Sequence, residues 1–217
     1  MKMAIKNGQE WGSDKVTPDD LVVVATDAEL AQAISDGHRD FTLAGGDMWR
    51  TIGAKTQRPI PGELAKCLPV DVIDVQCELF DGTKLSKCAA AHVVLRRPSI
   101  RGGWLRGPVT VIANSQFLGY WDVAPRGHPN DGRVEITQVD PSMSLRQRLS
   151  ARSRLKSGNH LPHPSISVRS VKEFECEVKG GLAKDHARQN VWIDGQRIGR
   201  VKSLSLEVRS DHAFLWM

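Results

Sequence analysis

Gly45, Gly46 and Asp47 follow the extended run 41–44. A strand that ends in glycines is how an α/β fold brings backbone N–H groups to a phosphate. Glycine lets the main chain approach a ligand closely, and an aspartate at such a turn also serves as a helix cap. The next two residues, Met48 and Trp49, are among the bulkiest available. Two further aspartates precede glycine, at Asp131-Gly132 and Asp194-Gly195. As residue types alone they read as hairpin corners, because Asp tolerates the left-handed conformation and Gly prefers it.

The elements around these residues come from periodicity. "LVVVAT" and "DFTLA" are β-branched or apolar runs of buried-strand length. Between them Thr26 and Glu29 fit a capping box, Leu30, Ala33 and Ile34 give helical spacing, and Gly37 ends the helix. Residues 21–54 therefore read β-α-β-turn-short helix, the core of a small parallel unit. After a linker, "RPIPGE", strand patterns dominate: around the Asp81-Gly82 turn, then "VTVIANSQ", "GRVEITQV", "ISVRSVKEFECEV", "NVWIDGQRIGRV", "LSLEV" and "HAFLWM". Asp-Gly between extended runs is a hairpin signal, and many strands with few helices predict a sandwich or barrel. One helix is expected over about 142–156. The fold class expected is a reduced α/β unit followed by a β-sandwich-like domain. Its divisions are a loose tail over 1–15, the α/β unit over 16–62 and a β-rich domain over 63–217.

Hydrophobic content of 40% and charged content of 25% are those of a soluble globular chain. No apolar run reaches the length of a membrane span, and the first fifteen residues lack the apolar core of a secretion signal. The expected location is the cytoplasm. Cys67, Cys77, Cys88 and Cys176 show no C-x-x-C spacing, which argues for buried reduced thiols rather than a zinc site or disulfide framework. A net charge of +5 favours anionic partners.

"GYWDVAPRGHPNDGRVEITQV" resembles the second-domain signature of the diacylglycerol kinase and sphingosine kinase-like lipid kinases, "APxAxxDDGxLDV". The matching residues are Ala124, Pro125, Asn130, Asp131, Gly132 and Glu135. "SGNHLPHPSISVRSVKEFECEV" is similar to a later run of that family, "VWIDGQRIG" to its DGE turn, and "TLAGGDMWRTIGA" to its GGDGTxNEV motif. The resemblance spans about residues 20–217. It implies an α/β nucleotide-binding domain, a β-rich second domain and an active site in the cleft between them. It also implies transfer of the ATP γ-phosphoryl to a lipid hydroxyl with Mg²⁺. On that resemblance Gly45, Gly46 and Asp47 are the cofactor-binding residues and Asp131 is the metal ligand. Asp194 is the general base, and Asp47 is the second catalytic residue.

The same alignment of motifs shows departures. Met48 and Trp49 stand where the family has Gly and a hydroxyl residue, Asn130 replaces an Asp, Gln196 replaces a Glu, and no GTGND segment follows. A Cβ at position 48 disfavours a left-handed backbone by roughly 1–2 kcal/mol, and an indole is expected to take phosphate space. The expectation is a weak or inactive kinase, a pseudo-enzyme that binds ATP and Mg²⁺ only if active. The alternative is a non-catalytic module for an anionic lipid or metabolite, or a protein-assembly module. The helix with Arg146, Arg148, Arg152, Arg154 and Lys156 is expected to be solvated and packed by Leu145, Leu149 and Leu155. Peripheral membrane contact is a second reading; sequence-specific nucleic-acid binding is not expected, for want of a recognition motif. His128, His160 and His163 read as loop histidines, with a phosphate contact by His160 as the minor reading. Trp104, Trp121, Trp192 and Trp216 read as core. A short first domain leaves sheet edges uncovered, which keeps a homodimer open.

Overall fold

The computed structural model describes residues 10–55, 57–177 and 189–217. Strands β1 (Ser13–Val16) and β2 (Val22–Val24) lead to helix α1 (Asp27–Ser35), strand β3 (Asp40–Leu43) and the short helix α2 (Gly46–Ile52). Then come β4 (Leu64–Leu79), β5 (Lys84–Ala89), β6 (His92–Arg96), β7 (Val109–Ala113), the two-residue strands β8 (Phe117–Leu118) and β9 (Trp121–Asp122), and β10 (Val134–Val139). Helix α3 (Leu145–Arg154) precedes β11 (Ile166–Val171), β12 (Glu173–Glu177), β13 (Asn190–Ile193) and β14 (Gln196–Trp216). This is the expected α/β unit joined to a β-rich part.

The 21-residue strand β14 runs through both. Its first residues pair with β13 across the Asp194-Gly195 turn, and the next stretch pairs antiparallel with β4. Its last residues, Phe214 and Leu215, pair in parallel with Asp40 and Phe41 of β3. Three strand patterns expected from sequence are thus one strand, kept continuous by an irregularity between Arg209 and Ala213 where Asp211 takes φ 52°. "ISVRSVKEFECEV" does the reverse. It divides into β11, paired with β10, and β12, paired with β14 on the opposite sheet.

Two cores follow. One lies between the sheets of the β-rich part, with Ile73, Val75, Val93, Ile112, Ile136 and Leu204 at its centre. The other holds α1 and α2 against the parallel strands and joins Leu30, Phe41 and Met48 to Leu68, Val70 and Leu215. The α/β unit is therefore completed by the beginning of β4 and the end of β14. Part of the expected tail is fixed: β1 pairs with β4, and the Trp11 indole donates to the Pro69 carbonyl at 2.9 Å. Residues 1–9 of that tail lie outside the described residues.

α1 begins as its residues dictate, with a variation. Thr26 Oγ1 accepts from Glu29 N at 3.1 Å, and Glu29 Oε2 accepts from Ala25 N, one residue earlier than a capping box. α3 departs further from expectation. Ser144 and Gln147 form a full capping box, but Leu145 and Leu149 are 51% and 49% exposed whereas Arg148 is 4% exposed. The guanidinium of Arg148 donates to the carbonyls of Met143, Trp104, Gly107 and Asp140. Of the three leucines, only Leu155 packs, at the far end. Four carbonyls from two loops fix the arginine inside, and that rotates the leucines outward.

Candidate functional site

The Gly45-Gly46-Asp47 turn sits where β3 ends and α2 begins. The two amides that follow its glycines are already occupied. Asp27, the first residue of α1, accepts from Asp47 N at 2.6 Å and from Met48 N at 2.9 Å. The glycines explain how it gets there. Gly46 has φ +97°, and a Cβ on it would lie 2.7 Å from Asp27 Oδ1. A Cβ on Gly45 would lie 2.7 Å from the Ala25 carbonyl oxygen. The close approach that glycine permits is thus made by the chain's own oxygens. Met48 is fully buried in the core under α2, and Trp49 packs half-buried on the same core. The side chain that meets these two amides is thus a carboxylate, while the Trp49 indole packs on the core instead.

Asp47 reaches across to the β-rich part. One of its oxygens accepts from Gly119 N at 2.7 Å, and the other is 3.6 Å from His92 Nδ1. Arg50, one turn later, donates to the Gly119 carbonyl at 2.7 Å. The peptide units on either side of Gly119 are therefore held by one helix. Burial pushes the Asp47 carboxyl up to about 6, opposed by the Gly119 amide and reinforced by the Asp27 charge. His92 is 2% exposed; burial pulls it down to about 4, so it is a neutral imidazole, and its Nε2 has no hydrogen-bond partner.

Asp194 occupies the first corner of a two-residue hairpin, with φ 45° there and 80° at Gly195, the backbone such a turn requires. The corner reading and a specific use of the carboxylate both hold. Asp194 accepts from Ala90 N, Ala91 N and His92 N at 2.8–2.9 Å. Burial outweighs these bonds and lifts its pKa to about 7, with a contribution from Asp27. Asp47 and Asp194 thus both meet His92, the first at its imidazole and the second at its backbone amide.

Asp131 belongs to another group. It accepts from Arg133 N two residues on, the local turn expected of Asp before Gly, and burial raises its pKa. Beside it the buried Asp71 accepts from Gly132 N at 2.6 Å and Asp211 N at 3.0 Å, and Asn130 Nδ2 donates to both Asp71 and Asp211. Burial pushes Asp71 up to about 6. Asn114 links the two groups, donating to the carbonyls of Asp71 and Ala90. Among the described residues, no group of three or more His, Cys, Asp or Glu side chains is arranged to hold a metal ion. The carboxylates around Asp131 accept backbone and amide N–H groups.

Sequence reasoning missed Asp27, Asp71 and His92. Asp27 was visible only as a first-turn acid of α1, whereas Asp71 and His92 sit in apolar strand runs without any motif.

A second site lies beside α3. Arg50, Tyr120, Trp121, Leu149, Arg152 and Lys156 line one open groove between α2, the β8–β9 turn and α3. Arg50 lies over the Tyr120 ring and Arg152 over Trp121. Behind it is an apolar cavity of about 70 Å³, walled by Trp104, Trp121, Val111, Val123 and Leu155, with His160 at its edge. Trp104 and Trp121, expected as core, pack edge to face at 5.2 Å and border this space. His160 is 3% exposed with neither ring nitrogen hydrogen-bonded, and Asp122 Oδ1 is likewise without a partner.

No protein-family profile matches the sequence, and no curated protein is similar to it in sequence. The fold, however, is shared. Two structures, each described as "a putative diacylglycerol kinase from Bacillus anthracis str. Sterne", superpose with TM-scores of 0.56 and 0.57, at 14% and 13% identity. Each match covers 90% of this chain and 77% of the other. Yeast NADH kinase complexed with NADH superposes at 0.51 and 9% identity, covering 91% of this chain and 60% of that one. At such identities the likeness establishes the fold: an α/β unit with a β-rich part, of the diacylglycerol kinase and NAD kinase type.

Proposed function

We propose that this chain uses a lipid-kinase-type fold as a binding module and does not transfer phosphoryl groups from ATP efficiently. The observation that carries the reading is the Asp27 carboxylate on the Asp47 and Met48 amides. Phosphoryl transfer needs donors for the phosphates, carboxylates for Mg²⁺ and a base for the attacking hydroxyl. Here the donors face a negative charge, which repels a triphosphate. The carboxylates of Asp47, Asp131 and Asp194 each accept from backbone amides. Had the fold kept the kinase chemistry, Asp194 would be the base; its raised pKa suits that role, but its three amide bonds hold the anion away from a proton donor.

The ligand that suits the chain is an anionic lipid or a phosphate-bearing amphiphile, bound in the groove beside α3. Arg50, Arg152 and Lys156 supply cations, and the cavity behind Trp121 supplies apolar surface. The test is thermal denaturation of the intact chain with millimolar ATP–Mg²⁺ and, separately, with a short-chain phosphatidic acid. A bound ligand raises stability by mass action. The expected result is no rise with nucleotide and a rise with the lipid. A phospholipid product made from ATP, Mg²⁺ and a mixed lipid extract, and abolished by Asp194→Asn, overturns the proposal.

A further inference from the structure

The outward face of α3 carries an inference about a partner that does not depend on whether the glycine turn accepts nucleotide. α3 is inverted: Arg148 is inside and Leu145 and Leu149 are outside. At 100° per residue, Leu145, Leu149, Arg152 and Lys156 fall within one narrow stripe, and Arg152 and Lys156 are exposed with the leucines. Tyr120, 80% exposed, lies across the groove from Leu149. The loop carrying Ile100, 93% exposed, is tied to α3 through the bonds of Arg148 to Trp104 and Gly107.

Short of the flanking Asp122 and Asp140, the charges of the two segments that meet at α3 have one sign. Residues 92–121 contain four arginines and no acidic residue; residues 141–172 contain seven Lys and Arg and no acidic residue. Yet the chain as a whole has 25 acidic residues against 30 basic ones. The acids have been kept out of the two segments that meet at α3. A partner for this face must suit exposed leucines, an isoleucine and a tyrosine together with cations. An anionic bilayer does, because it takes apolar side chains into its acyl boundary and attracts Lys and Arg at its surface.

We propose that α3, with the β8–β9 turn, is a docking surface for a membrane containing anionic lipid. Leu145 and Leu149 enter the interface and Arg146, Arg152 and Lys156 meet the headgroups. The apolar cavity behind Trp121 then opens toward the lipid rather than toward bulk water.

The experiment is flotation of the full chain with phosphatidylcholine vesicles containing or lacking 30% phosphatidylglycerol. Binding is expected to anionic vesicles alone, and to weaken in high salt. Leu145→Ser/Leu149→Ser and Arg146→Glu/Lys156→Glu should each reduce it roughly tenfold or more, with melting curves showing that the folds are kept. A further variant, Leu145→Ser/Arg146→Glu, separates this surface from the groove ligand: neither residue lines the groove, so soluble short-chain phosphatidic acid still stabilises it while its binding to anionic vesicles falls. Failure to bind anionic vesicles, or binding that all three double variants retain, overturns the proposal. So does binding of duplex DNA or RNA that follows the charges and ignores the leucines, which would assign the face to nucleic acid.

Discussion

The α1–α2 end and the α3 end of this molecule treat their polar groups in opposite ways. At the first, every carboxylate near the glycine turn meets backbone amides: Asp27 on α2, Asp47 on Gly119, Asp194 on the Ala90–His92 stretch. At the second, His160 and Asp122 keep three buried atoms without partners, against His92 Nε2 at the first, and leucines stand in water. A buried polar group left unpaired costs about 1–3 kcal/mol, so a chain tolerates it where something else is gained. On the proposed reading, the comparison teaches that the glycine-turn end serves structure and that recognition belongs to the α3 end.

The sharpest way to test that contrast is at Arg148. Arg148→Leu leaves four carbonyls without their donor, and a loss of about 4 kcal/mol is expected, read as a lower midpoint in urea denaturation. If α3 tolerated the change, its inversion would be incidental. Asp27→Ala comes next. It removes two charge-assisted bonds from the start of α2, for about 2 kcal/mol. At about 2–4 °C per kcal/mol for a chain of this length, Tm should fall by roughly 4–8 °C. A Tm unchanged would mean that water caps α2 equally well.

Acid–base behaviour gives a third test. The carboxyls of Asp47, Asp71 and Asp194 are held near 6, 6 and 7 against an ordinary 3.8. A carboxyl raised by folding binds protons more tightly in the folded chain. Its contribution is present below the unfolded value and lost as pH rises through the folded one. Stability should therefore fall between about pH 4 and 7. His92, lowered to about 4, works in the opposite sense below its ordinary 6.5, where acid favours the unfolded chain. Comparing Tm across this range in wild type and Asp194→Asn isolates the largest carboxylate share: the fall should be shallower in the variant. The smallest effect is expected at Leu145→Ser, within about 0.5 kcal/mol because the side chain is half in water.

Much of the fold was legible because it is local. β-branched runs gave β2, β3, β7 and β10, and the Asp81-Gly82 and Asp194-Gly195 pairs marked true hairpins, with φ 87° at Gly82 and 80° at Gly195. Thr26 capped the helix it was expected to cap. What escaped depends on partners distant in sequence. Leucine spacing in α3 suggested which face was inward, but the deciding bonds run from Arg148 to Trp104 and Gly107, more than forty residues earlier. Asp27 is twenty residues from the amides it covers. Asp47 and Asp194 were singled out for their motifs, and the structure does bring them together at His92. Their shared neighbour lay in an apolar strand where no residue pattern distinguishes a buried imidazole.

The parallel pairing of Phe214 and Leu215 with Asp40 and Phe41 has a temporal consequence. A ribosome makes the two partners of this ladder more than 170 residues apart. β3 can gather α1 and α2 around it, but its open side stays unpaired until residue 215 has emerged. Contacts of such sequence separation slow folding and prolong the exposure of unpaired edges. The earliest-made part of this chain is therefore among the last to be finished, and dependence on chaperones during synthesis should be concentrated there.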